Sequence, residues 1–138
     1  MKVISKKKNN ISLDTNDFDI SFARGLSLED GAATLTAFSA KIISTKINFL
    51  LKEHEKKIIK IIICGGGRKN IDLVKKIKFN SKKNILFYNS EDFELNGDFI
   101  ESQAFGYIAI RSVLSLPISF PSTTGCSAPC SGGEAIDF

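Results

Sequence analysis

The sequence lacks the segments and residue types on which several classes of protein depend. It contains no run of about 18 apolar residues, so it predicts no membrane-spanning helix. The basic start at residues 1–8 is not followed by the apolar segment of a secretory signal. Cys126 and Cys130 with the single His54 would make three ligands, whereas a structural zinc site needs four. The third cysteine, Cys64, leaves an odd number, which together with the missing signal predicts reduced thiols in a cytoplasm.

Positive charge is in excess, but it is carried mainly by lysine. The 138 residues include 19 Lys+Arg and 15 Asp+Glu, giving a net charge of +4. Only Arg24, Arg68 and Arg111 are arginines. A nucleic-acid interface would be expected to combine arginines and aromatic residues on one face, so no nucleic-acid partner is predicted. An apolar content of 43% and a charged content of 25% are typical of one globular domain with its own core.

After a polar segment at residues 1–20, the first predicted element is a long helix. Ser27 can cap it, and acidic residues follow in its first turn, where the helix dipole favours them. Apolar residues then recur at helical spacing as far as Leu51, which predicts one apolar stripe. Ser44 and Asn48 fall on the polar side, so we expect both to face away from the core.

The remaining pattern predicts an α/β fold. The expected elements are a strand at 58–64, a helix at 71–79, a strand at 84–88 and a helix at 99–115. Strand, helix and strand with short links predict a βαβ unit, with parallel strands and a right-handed crossover. The first strand is a continuous apolar run, so we expect burial on both faces, with Cys64 as a small buried residue. The last helix is apolar around most of its circumference, so we expect it to be buried and to end at Pro117.

Three glycines follow the first strand. Gly65, Gly66 and Gly67 permit backbone angles that side chains forbid, and they leave no Cβ in the way of a ligand. The next helix would bring free N–H groups to the same place. The segment has neither the third spaced glycine of a dinucleotide fingerprint nor the Gly-Lys-Ser/Thr of a phosphate loop. Nucleotide contact and an ordinary strand-to-helix turn therefore both stay open.

Two acidic residues begin the last predicted helix. Asp98 can be its N-cap, with Glu101 three residues later folding back in a capping box. Alternatively, Glu101 shares a face with Phe105 and Ile108, which would hold its carboxylate in a partly apolar cleft. Such a carboxylate can bind sugar hydroxyls or transfer protons. The local pattern favours the capping box and leaves the second role open.

Four stretches in order resemble one known family. They are the helix start at residues 30–38 (DGAATLTAF), the glycine turn at 63–70 (ICGGGRKN), the helix start at 96–105 (NGDFIESQAF) and the exit at 116–125 (LPISFPSTTG). Together they resemble anhydro-N-acetylmuramic acid kinase, of the actin-like sugar kinase superfamily, over roughly residues 14–136. Ser102 stands where the family usually has Ala, and Cys126 and Cys130 also depart from its pattern.

This resemblance implies a fold, an activity and site residues. The implied fold for residues 21–138 is the C-terminal half of an actin-like (ribonuclease-H-like) ATPase domain, with an incomplete sheet and long packing helices. The family uses ATP and Mg²⁺ to open the 1,6-anhydro bond of anhydro-N-acetylmuramic acid and to phosphorylate its 6-oxygen in cell-wall recycling. By carry-over, Gly65, Gly66, Gly67 and Asn70 would lie on the adenosine side of ATP, and Asp98 and Glu101 would lie near the sugar. No catalytic or metal-ligating residue is carried over.

The family's phosphate loop and its water-activating aspartate do not occur in this sequence. With its own Met1, the chain is therefore expected to be a truncated or split version without kinase activity of its own. Its expected partners are ATP, the anhydro sugar, and either the missing N-terminal half or a second copy. Two alternatives remain. One is a non-catalytic interaction module or relic that pairs through its sheet edge and apolar surface. The other is an unrelated α/β nucleotide-binding domain.

Overall fold

The computed structural model describes residues 15–54, 56–134 and 136. Its helices and strands are α1 (Leu28–Leu50), β1 (Ile59–Ile63), α2 (Ile71–Asn80), β2 (Ile85–Asn89), α3 (Ile100–Val113) and α4 (Pro121–Thr124). Two compact units are distinguished, Ser21–Glu101 and the described parts of 1–20 and 102–138. The predicted polar segment at residues 1–20 lies outside the described residues as far as residue 14. The domain boundary after residue 20 stays a prediction.

Helix α1 begins as its sequence predicts. The Ser27 Oγ accepts a hydrogen bond from the Asp30 N–H at 3.0 Å, which satisfies one of the free donors of the first turn. The helix packs on α2, with Ala40 and Ser44 buried. The expectation that Ser44 and Asn48 face away from the core is wrong. The Ser44 Oγ donates to the Lys41 carbonyl at 3.2 Å, so its burial leaves no unpaired hydroxyl.

Asn48 of α1 bonds with the backbone at the end of α2. Its Nδ2 donates to the Asn80 carbonyl at 2.9 Å, and its Oδ1 accepts from the Lys82 N–H at 3.1 Å. Carbonyls in the last turn of a helix have no partner within that helix, which explains why a polar residue lies in this contact.

The predicted βαβ unit is confirmed in its parallel pairing. β1 and β2 are neighbours in register from Ile59 opposite Ile85 to Ile63 opposite Asn89. Burial on both faces is wrong for the described residues, because exposure alternates along β1 and Ile62 is 44% exposed. Cys64 is likewise exposed. The sheet has two strands within the described residues, and both faces of an apolar strand are buried only where other elements cover them.

Helix α3 is shorter and more exposed than expected. None of its residues is buried in the structure as described, and Phe105 is 64% exposed. It ends at Val113, ahead of Pro117. After this end, Ser115 adopts a φ of 55° and the Leu116 N–H donates to the Arg111 carbonyl at 2.8 Å. The prediction that α3 is buried is therefore wrong for the described residues. Burial of an apolar helix requires other elements packed around it, and the described residues do not provide them.

These elements confirm an α/β class with a partial sheet, and the actin-like assignment stays a prediction. In the part of the chain that the structure describes, no helix combines the length and apolarity needed to cross a bilayer.

Candidate functional site

The glycine turn lies at the carboxyl ends of both strands. β1 ends at Ile63 and leads into this turn, and β2 ends at Asn89 and leads into a 3₁₀ turn at Ser90–Phe93. Because the strands are parallel, both turns lie at the same edge of the sheet. Ligands of open α/β sheets bind outside this edge.

Gly65 is the residue of the turn that requires glycine. Its φ of 76° lies in the left-handed region, whereas Gly66 and Gly67 have no positive φ. The Gly65 N–H donates to the Gly97 carbonyl at 3.0 Å, which ties the turn to the segment before α3. A Cβ built on Gly65 or Gly66 would meet no atom within 4 Å. The turn therefore presents an open, side-chain-free backbone surface.

Asn70 caps the helix that follows the turn. A 3₁₀ turn at Gly66–Lys69 separates the glycines from α2, and the Asn70 Oδ1 accepts from the Leu73 N–H at 3.0 Å. The cap thus occupies the Leu73 N–H, and a further turn lies between the glycines and α2, so the expectation that α2 brings free N–H groups to the glycines stays a prediction. Any contact of Asn70 with a nucleotide stays a prediction.

A cluster of four charged side chains, the Arg68 cluster, fixes the geometry of the turn. It consists of Arg68, Lys69, Glu91 and Asp98. The Arg68 Nε and Nη2 donate to Glu91 Oε1 at 2.9 and 2.6 Å, and its Nη1 donates to Asp98 Oδ1 at 2.7 Å. The same Nη1 donates to the Gly65 carbonyl at 3.0 Å, so the guanidinium binds the glycine turn itself. Lys69 Nζ donates to Asp98 Oδ2 at 2.9 Å.

The charges of the Arg68 cluster are balanced and held in their ionised forms. Hydrogen bonds from Arg68 lower the pKa of Glu91 from 4.5 to about 2. Hydrogen bonds from Arg68 and then Lys69 lower the pKa of Asp98 from 3.8 to about 2. The two carboxylates in turn raise the pKa of Arg68. Two cations thus face two carboxylates, and the cluster offers no surplus positive charge to a phosphate. We interpret it as a clamp that positions the backbone.

Gly97 allows this clamp to close. A Cβ on Gly97 would lie 2.5 Å from Arg68 Nε and closer still to the Ser90 Oγ. Ser90 is fully buried, and its carbonyl accepts the Leu95 N–H at 3.1 Å, so it has little room to move. Arg68, Glu91, Ser90 and Gly97 were not among the site residues expected from sequence. The available signal was an arginine directly after the glycines in a chain rich in lysine.

Asp98 and Glu101 do not form the predicted capping box. The Asp98 N–H, which Glu101 would have to reach, donates to Asn96 Oδ1 at 3.0 Å. The Asp98 carboxylate is taken by Arg68 and Lys69, because ion pairs with two cations outcompete a local cap. Glu101 is exposed at the second position of α3 and lies outside the Arg68 cluster. The structure therefore joins Asp98 to the glycine turn, and the sugar contacts of Asp98 and Glu101 stay predictions.

The described residues contain no group of three or more His, Cys, Asp or Glu side chains that could hold a metal ion. The two carboxylates nearest the glycine turn are already paired with Arg68. A magnesium ion bound here would therefore need ligands from elsewhere, such as the phosphates of a nucleotide.

Comparison with known proteins identifies the family. The family described as anhydro-N-acetylmuramic acid kinase matches residues 8–137. An anhydro-N-acetylmuramic acid kinase of Pelagibacter ubique is 48% identical over 133 residues, covering 96% of this chain and 35% of the relative. The enzyme of the same name from Zymomonas mobilis is 44% identical over 123 residues, covering 89% and 32%. The chain thus spans about a third of the length of the curated relatives it matches.

Proposed function

Because this chain belongs to the anhydro-N-acetylmuramic acid kinase family, we propose that it forms the C-terminal nucleotide- and sugar-binding portion of such a kinase. In this proposal, the complete enzyme uses ATP and Mg²⁺ to open the anhydro bond and phosphorylate the 6-oxygen during cell-wall recycling in the cytoplasm. The chain alone is proposed to be inactive.

The open backbone at Gly65 and Gly66 is the observation that carries the nucleotide-binding proposal. Glycine leaves no Cβ between the backbone and a ligand, and an added Cβ at either position has no neighbour within 4 Å, so the space beside the turn is open. Such a surface is useful only if it is rigid. Arg68 donates to the Gly65 carbonyl, and the Gly65 N–H donates to the Gly97 carbonyl, so both polar backbone groups of Gly65 are hydrogen-bonded. This pre-organisation reduces the ordering cost of binding.

The sugar side of the proposal rests on Glu101. ATP supplies the transferable phosphoryl group, and catalysis of its transfer depends mainly on positioning and charge. Glu101 is exposed near the N-terminus of α3, where its carboxylate can accept hydrogen bonds from sugar hydroxyls. Asp98 is a weaker candidate, because a sugar hydroxyl would compete with Arg68 and Lys69 for its oxygens.

A non-catalytic interaction module is the second candidate, and surface apolarity favours it. The buried apolar residues of the described chain are Ala40, Ile77 and Ile85, whereas large side chains of α3 such as Phe105 and Ile110 are more than 60% exposed. Exposed apolar patches of this kind mark surfaces that another polypeptide covers. The remaining part of a kinase and an unrelated partner would both satisfy this requirement.

Reconstitution separates the two candidates. The chain would be co-expressed with the portion of the Pelagibacter ubique relative that it does not match, and ATP-dependent phosphorylation of the anhydro sugar would be measured in the purified pair. The kinase proposal predicts turnover in the pair and none in either part. A stable pair without turnover would contradict the kinase proposal and support the interaction module. The uninterrupted relative is the positive control.

A further inference from the structure

Cys126 and Cys130 lie on either side of a bend at Ser127 and Ala128 in the segment after α3. Cys130 forms an antiparallel bridge with Ser119, in which each N–H donates to the other's carbonyl at 3.1 Å. Helix α4 ends at Thr124, and Gly125 follows with a φ of 76°. Gly125 therefore turns the chain immediately before Cys126, and the bridge to Ser119 holds the backbone at Cys130.

The side chains around Cys126 form a small polar cluster. The side chains of Thr124, Ser119 and Cys130 lie close enough to Cys126 to interact with its thiol. The hydroxyls of Ser119 and Thr124 also contact each other. The three cysteines of the chain are free thiols, with Cys126 partly exposed and Cys130 exposed. A small oxidant can therefore reach two thiols that are close enough to interact.

The surroundings distinguish the two thiols chemically. Hydrogen bonds from Thr124, followed by those from Ser119 and Cys130, lower the pKa of the Cys126 thiol. Desolvation and the neighbouring negative charge on Cys126 raise the pKa of the Cys130 thiol. Oxidation-sensitive cysteines combine thiolate character, solvent access and an adjacent thiol that resolves the first product. Cys126 has the first two properties, and Cys130 supplies the third.

We propose that Cys126 and Cys130 are a dithiol that hydrogen peroxide converts reversibly into a disulfide, with Cys126 attacking and Cys130 resolving. The Cys126 thiolate attacks one peroxide oxygen and breaks the O–O bond, giving a sulfenic acid and hydroxide, which takes a proton to become water. The Cys130 sulfur then attacks the Cys126 sulfur and loses its proton, and the sulfenic oxygen leaves as a second water. Two thiols are oxidised, one peroxide is reduced, and a dithiol reductant reverses the change.

The expected consequence is local cross-linking next to α3. Two residues after Cys130, the Gly132 carbonyl accepts a hydrogen bond from the Ser112 hydroxyl of α3. A disulfide between residues 126 and 130 would therefore stiffen the segment that contacts this helix. This inference is independent of the kinase proposal, because it concerns thiol chemistry that is read without any turnover.

The test oxidises the whole 138-residue chain and maps its thiols. Trypsin leaves Cys126 and Cys130 together on the peptide 112–138 and places Cys64 on the peptide 61–68, so Cys64 serves as an internal control. After brief treatment with equimolar peroxide and alkylation of the remaining thiols, the peptide 112–138 should have lost two hydrogens and resist alkylation until reduced. Cys64 should be alkylated fully.

Single variants in a Cys64→Ser background test the order of attack. Cys130→Ser should accumulate a sulfenic acid at Cys126 that dimedone traps, whereas Cys126→Ser should leave Cys130 oxidised at least about tenfold more slowly. Circular dichroism spectra would confirm that both variants fold, and the wild-type peptide map gives an independent result if either does not. Alkylation of peptide 112–138 at the same rate as Cys64 after peroxide, or equal dimedone labelling of both variants, would overturn the proposal.

Discussion

Replacing Gly97 by Ala tests whether the Arg68 cluster depends on close backbone approach. The added Cβ would lie 2.5 Å from Arg68 Nε and closer still to the Ser90 Oγ, which is inside any normal van der Waals contact. Both neighbours are constrained, because Ser90 is fully buried and the Arg68 side chain is 9% exposed with its guanidinium bonded on three sides. Relief therefore requires a backbone shift or a broken hydrogen bond. Overpacking of this kind costs about 1–3 kcal/mol, and we expect about 2 kcal/mol here.

The measurement is urea unfolding followed by circular dichroism. With a slope of about 2 kcal/mol/M, a loss of about 2 kcal/mol lowers the unfolding midpoint by about 1 M. Gly66→Ala is the matched control, because its Cβ meets nothing within 4 Å and its φ is not positive. It should change the free energy of unfolding by no more than about 0.5 kcal/mol. Ser90→Ala combined with Gly97→Ala should lose less than the sum of the single changes, since the nearest clashing atom is gone.

The reasoning fails if Gly97→Ala and Gly66→Ala have the same free energy of unfolding. It also fails if the Ser90→Ala and Gly97→Ala effects are strictly additive. Either result would mean that the turn before α3 moves freely, and that Arg68 does not hold the glycine turn in one position.

Three further predictions concern the same region. The free energy of unfolding should fall as pH decreases from about 4.5 to about 2, because Glu91 and Asp98 stay ionised in the folded chain while the same carboxylates bind protons in the unfolded chain. Urea midpoints measured over this range should depend less on pH in Arg68→Gln than in the exposed control Arg24→Gln. Glu101→Gln in the reconstituted pair should strongly reduce turnover while changing stability by less than about 1 kcal/mol, and unchanged turnover would defeat its role at the sugar. The purified chain alone should not phosphorylate anhydro-N-acetylmuramic acid, and any ATP-dependent turnover by it would refute the proposed division of function.

Features set by neighbouring residues were predictable from sequence. The Ser27 cap and the parallel pairing of β1 and β2 depend on short patterns and short links, and both are confirmed. The same kind of pattern gave a wrong prediction at Asp98, which forms ion pairs with Arg68 and Lys69 and not the predicted capping box. Those pairs join segments about 30 residues apart, and no periodicity encodes them.

Burial was predicted less well, for a different physical reason. The composition of β1 and α3 indicates burial on all sides, yet Ile62 and Phe105 are exposed within the described chain. Apolar composition indicates that a surface is stable when another element packs on it, but it does not indicate which element does so. The chain spans about a third of the length of its relatives, and the proposed function assigns this cover to the remaining part of a kinase.

Binding of ATP·Mg²⁺ to the chain tests the central claim most directly. Thermal melting would be followed with and without the nucleotide for the wild type, Gly66→Val and Gly106→Val. Both glycines have open space at the Cβ position, but Gly106 lies in the middle of α3 and not in the glycine turn. The account predicts that ATP·Mg²⁺ stabilises the wild type and Gly106→Val, by about 2.7 kcal/mol at a hundred times the Kd, and does not stabilise Gly66→Val. Equal stabilisation of all three proteins, or none in the wild type, would contradict a nucleotide site at the glycine turn.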